Sequence, residues 1–146
     1  MKSATQILKS KSEQSVYTVT PATSVFDAVM LMEEKNIGAL VVMADAKIVG
    51  IITEREFARR VVLAGLSAKH TPVRDVMTAA VMYVQPDQTN EECMALMTDN
   101  RVRHLPVMDN GELVGLISIG DLVKDIISKQ QFTIEQLEHY ITGDLR

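Results

Sequence analysis

Val49-Gly50-Ile51-Ile52-Thr53-Glu54-Arg55-Glu56 decides how this chain is read, because the chain contains the stretch twice. The same order returns 65 positions on, as Val114-Gly115-Leu116-Ile117-Ser118-Ile119-Gly120-Asp121. Each copy is an apolar run with a glycine, then a hydroxyl residue, two variable residues and an acid. The run is short and β-branched, which predicts a buried strand. Thr53 and Ser118 suit a helix N-cap, with Glu56 and Asp121 at capping-box spacing. One reading is that both corners simply start helices. The other uses the same geometry for binding. A helix N-terminus offers free N–H groups and a positive dipole end to phosphate. The hydroxyl can donate to a phosphate oxygen, and the carboxylate can accept from a ribose diol. Gly120 leaves room for a ligand near the backbone.

Outward from the corners the repeat continues. Residues 16–62 align with 81–127 without a gap. Val16–Val19 and Val81–Val84 predict short strands, each closed by a proline, Pro21 or Pro86. Ser24 with Asp27, and Thr89 with Glu92, open helices; Val25, Ala28, Val29 and Met32 fall on one face. Leu40–Met43 and Leu105–Met108 predict strands turned by Asp45-Ala46 and Asn110-Gly111, the latter a strong hairpin signal. A helix from about Arg55 to Leu63 ends at Gly65. Ile7-Leu8 and Val73–Met77 predict matching helical turns. Thr133 with Gln136 predicts a separate last helix, ended by Gly143. The expected organisation is therefore a first repeat with its N-terminal segment over 1–65, a joint over 66–72, a second repeat over 73–130 and a C-terminal helix over 131–146.

The 146 residues carry 47% hydrophobic and 23% charged side chains, as an ordinary globular domain does. Aromatics are scarce, Trp is absent and there are 9 Met, so an aliphatic, adaptable core is expected. A net charge of −4 argues against nucleic acid or an anionic membrane as main partner. No apolar run is long enough to span a bilayer, and residues 1–6 lack the apolar segment of a signal peptide. The single cysteine, Cys93, suits a reducing compartment, so a cytoplasmic protein is expected. Cys93 stands at the repeat position of Ala28 and reads as a core thiol. Three scattered histidines do not make a metal site. No serine has a base partner, and nothing in the sequence calls for catalysis.

The corners, together with Ile37-Gly38-Ala39-Leu40, Val102-Arg103-His104-Leu105-Pro106-Val107 and Val76-Met77-Thr78, resemble the CBS-domain pair, named for the regulatory region of cystathionine beta-synthase. The likeness covers nearly the whole chain and is closest to free-standing bacterial pairs, whose closing helix Gln136–Gly143 resembles. It implies an α+β fold: two pseudo-twofold-related β-α-β-β-α CBS repeats packed sheet to sheet, with a C-terminal helix. It also implies two clefts that take adenosine-containing ligands: AMP, ADP, ATP, S-adenosylmethionine or NAD. Asp121 matches the acid that grips ribose, and Ser118, after Ile117, the hydroxyl near phosphate. Thr53 matches Ser118. Glu56 stands where the family usually has Asp, and Arg55 beside it can reach phosphate. Arg103 and His104 match a basic pair near phosphate; their first-repeat counterparts, Gly38 and Ala39 after Ile37, bring no charge. The segments around Thr18 and from Thr78 through Met82 and Tyr83 match backbone that faces adenine. Lys69 and Thr71 in the joint are further candidates.

The function this implies is a non-catalytic adenine-nucleotide sensor, a homodimer signalling energy or redox state to a regulated partner. The alternatives are a structural or interaction module without a ligand, and an enzyme acting on a bound dinucleotide. The Asp121 cleft is expected to bind ribose more tightly than the Glu56 cleft, and Glu56→Asp to strengthen the weaker one.

Overall fold

The computed structural model describes residues 2–12 and 15–142. Its elements are α1 (Ala4–Lys9), β1 (Thr18–Val19), α2 (Val25–Lys35), β2 (Ala39–Ala44) and β3 (Lys47–Thr53). A helix follows, α-helical as α3 (Glu54–Glu56) and π-helical over Phe57–Val62. Then come 3₁₀ turns at Ala68–His70 and Val73–Asp75, α4 (Asn90–Asn100), β4 (His104–Asp109), β5 (Glu112–Ser118) and α5 (Ile119–Thr142).

The chain divides into two compact units. One holds Ser15–Tyr83 with Met108–Gly115, the other Met1–Gln14, Val84–Val107 and Leu116–Arg146. In the first, β1 pairs parallel with β2 (Thr18 opposite Val41), and β2 pairs antiparallel with β3 (Leu40 opposite Ile52, Val42 opposite Gly50). The hairpin turns at Asp45 and Ala46, whose φ of 50° and 62° are left-handed, as the right-handed twist of the strands demands. In the second repeat β4 and β5 form the hairpin, turned by Asn110 and Gly111 at φ 50° and 81°. The expected strand 81–84 is reduced there to one parallel bridge, Val84 to Val107. The reason is Pro106, at the repeat position of Val41: it has no N–H to extend the ladder, and only its carbonyl serves, accepting from the Val84 N–H at 2.9 Å.

The two cores repeat as the sequence does. Val19, Ala28, Met32, Leu40, Val42 and Ile52 fill one. Their 65-position partners Val84, Cys93, Met97, Leu105, Val107 and Ile117 fill the other. Each core is closed by the short segment that leads into the opposite repeat in the sequence. Val73 and Val76 complete the core containing Val19, and Ala4 and Ile7 the one containing Val84. The same three backbone bonds seat both lead-in segments. Val73, Arg74 and Val25 N–H groups donate to Thr23, Pro21 and Thr71 carbonyls, just as Ala4, Thr5 and Asn90 donate to Gln88, Pro86 and Lys2. The lead-ins are thus exchanged. Segment 3–9 is seated with residues 84–107, and segment 72–77 with residues 15–62, a different grouping from sequence halves cut at 65 and 73.

A second difference lies at the end. No separate helix begins at Thr133, because α5 runs unbroken to Thr142. Between Asp121 and Thr142 there is neither Gly nor Pro to stop it, and the Thr133 hydroxyl donates back to the Lys129 carbonyl at 3.1 Å instead of capping. The expected stop, Gly143, lies outside the described residues. Val123, Ile127, Ile134, Leu137 and Ile141 form an exposed apolar stripe along one side of α5. No helix among the described residues is long and apolar enough to cross a membrane.

Candidate ligand-binding corners

Each corner arises where a buried strand must become a helix, which leaves N–H groups to satisfy. At the first, the Arg55 N–H donates to Thr53 Oγ1 at 3.2 Å, and the Thr53 N–H donates to Glu56 Oε2 at 3.3 Å. The Thr53 hydroxyl also donates to Glu56 Oε2. The next N–H, of Glu54, donates to the Gly38 carbonyl at 3.2 Å. That bond brings Gly38 and Ala39 to the corner, as the alignment expects.

The second corner repeats the bond from the hydroxyl residue's N–H to the acid and the bond from the next N–H to the neighbouring strand, and differs in which N–H meets the hydroxyl. The Ser118 N–H donates to Asp121 Oδ2 at 2.8 Å, and the Asp121 N–H donates to Ser118 Oγ at 3.2 Å. The Ile119 N–H donates to the Arg103 carbonyl at 2.9 Å, which sets Arg103 and His104 beside Ser118. Arg103 is exposed and His104 half-buried, so the basic pair stands at the corner that the sequence assigns it. Ile117 is fully buried and Ile37 packs on the core, so these two offer a site only backbone.

The lead-in segments bring a further group to each acid, by different chemistry. In the first repeat Thr78 joins the edge of β3: its N–H and carbonyl pair with the Ile51 carbonyl and N–H, both at 2.9 Å. Its hydroxyl donates to Glu56 Oε1 at 2.8 Å. Gly50 permits the approach, since a Cβ there would lie 2.4 Å from Met77 Sδ and 3.1 Å from the Thr78 carbonyl. Glu56 is 8% exposed, and both its oxygens are engaged inside the protein. In the second repeat Lys11 takes the place of Thr78. Its Nζ donates to the carbonyl of Leu116, the repeat partner of Ile51, at 2.9 Å, and lies 3.0 Å from Asp121 Oδ2.

Of the remaining candidates only Arg55 shares in these bonds, through its N–H. Thr18 is exposed on β1, and Arg55 is exposed on the first turn of α3. Met82 and Tyr83 are exposed. Lys69 sits over the Phe26 ring, 4.9 Å from its centroid, and Thr71 is buried with its carbonyl at the N-terminus of α2. Lys11 is the residue that sequence reasoning missed: it falls in a polar loop and reaches Asp121 only because the lead-ins are exchanged. Aligning Ser3 with Pro72, 69 positions on, would have brought Lys11 to Ala80, two residues from Thr78. Among the described residues no three His, Cys, Asp or Glu side chains converge as metal ligands. Burial, then the neighbouring Glu92 charge, pushes the Cys93 thiol up, so it stays protonated and inert at neutral pH.

The CBS domain family matches the chain twice, over residues 10–63 and 73–128. The mitochondrial CBS domain-containing protein CBSX3 of Arabidopsis thaliana is 37% identical over 145 residues, covering 94% of this chain and 70% of its own length. A solved CBS-domain protein from Burkholderia ambifaria MC40-6 is 57% identical with a TM-score of 0.86, covering 91% of this chain and 99% of its own. The CBS-domain containing protein ATU1752 from Agrobacterium tumefaciens is 38% identical with a TM-score of 0.80, covering 85% and 98%. Repeat, corner geometry and relatives agree: the chain belongs to the CBS-domain family, as a tandem pair of repeats.

Proposed function

We propose that the chain is a non-catalytic sensor that binds AMP, ATP or NAD at its two corners and reports energy or redox state to a partner protein. CBS domains are in general regulatory modules that bind adenosine-containing ligands, and free-standing relatives are regulatory rather than catalytic. The observation that carries the reading to this chain is the second corner. A helix N-terminus, a hydroxyl (Ser118) and an acid (Asp121) meet there, and the bond from the Ile119 N–H to the Arg103 carbonyl brings the backbone of the basic pair Arg103-His104 alongside them. That set matches a phosphorylated ribose: the acid accepts from the diol, while N–H groups and cations face phosphate. Any signal then comes from unequal affinity of the ligand for two states of the protein.

The corners are unequal. Asp121 caps its helix through Oδ2 alone, whereas Glu56 uses both oxygens. The Asp121 corner is the tighter site, and Glu56→Asp, withdrawing the carboxylate from Thr78, strengthens the other. The exposed stripe on α5 supports self-association, with a homodimer as the simplest closed form. A relative from bloom-forming cyanobacteria, 30% identical, is a hexameric CBS-CP12 protein.

Thermal unfolding with AMP, ATP, NAD, NADH and S-adenosylmethionine tests the reading. A ligand at about 100 times its Kd adds roughly 2.7 kcal/mol, worth about 3–6 °C for a chain of this size. A selective rise that disappears in Asp121→Ala is expected. A flat panel at saturating ligand, from protein freed of copurified nucleotide, would favour the interaction module instead.

A further inference from the structure

The last helix is longer than its repeat requires. The first-repeat helix gives out at Val62, with Gly65 soon after, and Gly65 stands opposite Gln130 in the repeat. α5 continues from there to Thr142. Leu122 is fully buried in the second core, yet every residue from 127 to 142 is exposed. That is about 24 Å of helix, and a helix of this length is marginal in water unless its apolar face is covered. The exposed apolar residues Val123, Ile127, Ile134, Leu137 and Ile141 follow one another at steps of 4, 7, 3 and 4, the spacing of a coiled-coil seam. Gln130 fills the seam position inside the step of 7.

We propose that this helix pairs antiparallel with the same helix of a second copy of the chain. The inference deepens the self-association in the proposed function and does not depend on nucleotide binding. Complementarity of the helix with its own reverse fixes both the occupant and the direction. Gln130 set against Ile134 of the second copy puts Ile127 against Leu137 and Val123 against Ile141, and the twofold axis makes each contact twice. The flanks then match as well. Lys124 falls beside Glu138 of the second copy, and Ile126 beside Tyr140. Lys124 and Glu138 are both exposed and lie about four turns apart on one helix, too far to pair with each other in a single chain. A parallel pair loses these matches: Gln130 faces its own copy, Lys124 faces Ile119 and Glu138 faces Thr133. The charges thus select a second copy, running the other way.

Charge reversal in the full chain tests this, with sedimentation velocity reading the oligomeric state. Wild type is expected to dimerise. Lys124→Glu alone and Glu138→Lys alone each set like charges together twice, and each is expected to weaken the dimer about tenfold. The double variant restores it. Mixing the two single variants, one of them isotopically labelled, is expected to give a mixed dimer at least as tight as wild type, read by native mass spectrometry. Both substitutions are on exposed side chains, so the fold is retained. A monomeric wild type at about 100 µM overturns the proposal. A dimer that neither single variant weakens, or a mixture without preference for the mixed dimer, overturns the antiparallel pairing and leaves self-association standing. Nucleotide binding enters none of these readouts, so failure here and failure of the sensor reading are separate results.

Discussion

The two repeats solve one architectural problem with opposite chemistries. Each must hold a lead-in segment that belongs, by sequence, to the other. In the first repeat Arg60, in the π-helical turn, reaches over and donates from Nη1 to the Val76 and Met77 carbonyls, both at 3.0 Å. Sixty-five positions on stands Asp125, of opposite sign. It pairs with Lys2 at 3.4 Å and accepts from Asn90 Nδ2 at 2.8 Å. At the corner acids the contrast recurs, with backbone pairing and the Thr78 hydroxyl on one side and the Lys11 ammonium on the other. The three backbone bonds that seat the lead-ins are the same in both repeats. Backbone geometry is therefore what the repeats share, and the side chains fastened to it vary even in sign.

The contrast can be broken most forcefully at the glycines. Gly50→Ala drives a methyl into Met77 and toward the Thr78 carbonyl. A loss of about 1–3 kcal/mol in urea unfolding is expected, with faster amide exchange at Ile51 and Thr78. Gly120→Ala in the other corner meets only Ser118 Oγ at 3.6 Å. It is expected to be neutral or stabilising by up to about 1 kcal/mol. An equal loss from both would show that the lead-in contact of the first repeat is not what requires its glycine.

The anchors come next. Asp125→Ala removes a carboxylate that is only 9% exposed and leaves buried Asn90, whose Oδ1 already has no hydrogen-bond partner among the described residues, with one bond fewer. About 1–3 kcal/mol is expected. Arg60→Ala acts from an exposed position and is expected to cost about 1 kcal/mol or less. The reverse order in denaturant titrations would mean that the charged anchor contributes less than the guanidinium–carbonyl bonds.

The smallest effect lies in the hairpins. Ala46 holds φ 62° where the other hairpin has Gly111. Ala46→Gly, relieving a left-handed non-glycine residue, is expected to stabilise by about 0.5–1 kcal/mol. Thermal melts read it directly, and a lower Tm would show that the turn's backbone strain is offset elsewhere.

The corners, the hairpins and both cores were legible in the sequence because they depend on local pattern: capping spacing, turn residues and a periodic apolar face repeated at a fixed offset. The exchange of lead-ins was not. Ile7-Leu8 and Val73–Met77 are recognisable as a pair, yet nothing local says which core each will close, since either would present similar small apolar side chains. Lys11 was hidden for the same reason. The continuity of α5 was obscured by a sound local signal: Thr133 and Gln136 have capping-box spacing, but nothing before Thr133 interrupts the helix. Pro106 could have been read in advance, because a proline opposite the expected strand forbids a full ladder.

The exchange also fixes an order of events. Residues 15–77 contain every residue of the first core, so it can close once Met77 has left the ribosome. Segment 3–9 has no such early partner. Its seat is built from Pro86, Gln88 and Thr89, and its core neighbours extend to Leu122. Segment 3–9 is thus made before its seat and is among the last segments to be placed, and it must close a loop spanning most of the chain. Loop closure of that length adds little to the equilibrium cost but slows the search. A chain halted after the first repeat would carry that segment unseated, its apolar face open to whatever it meets.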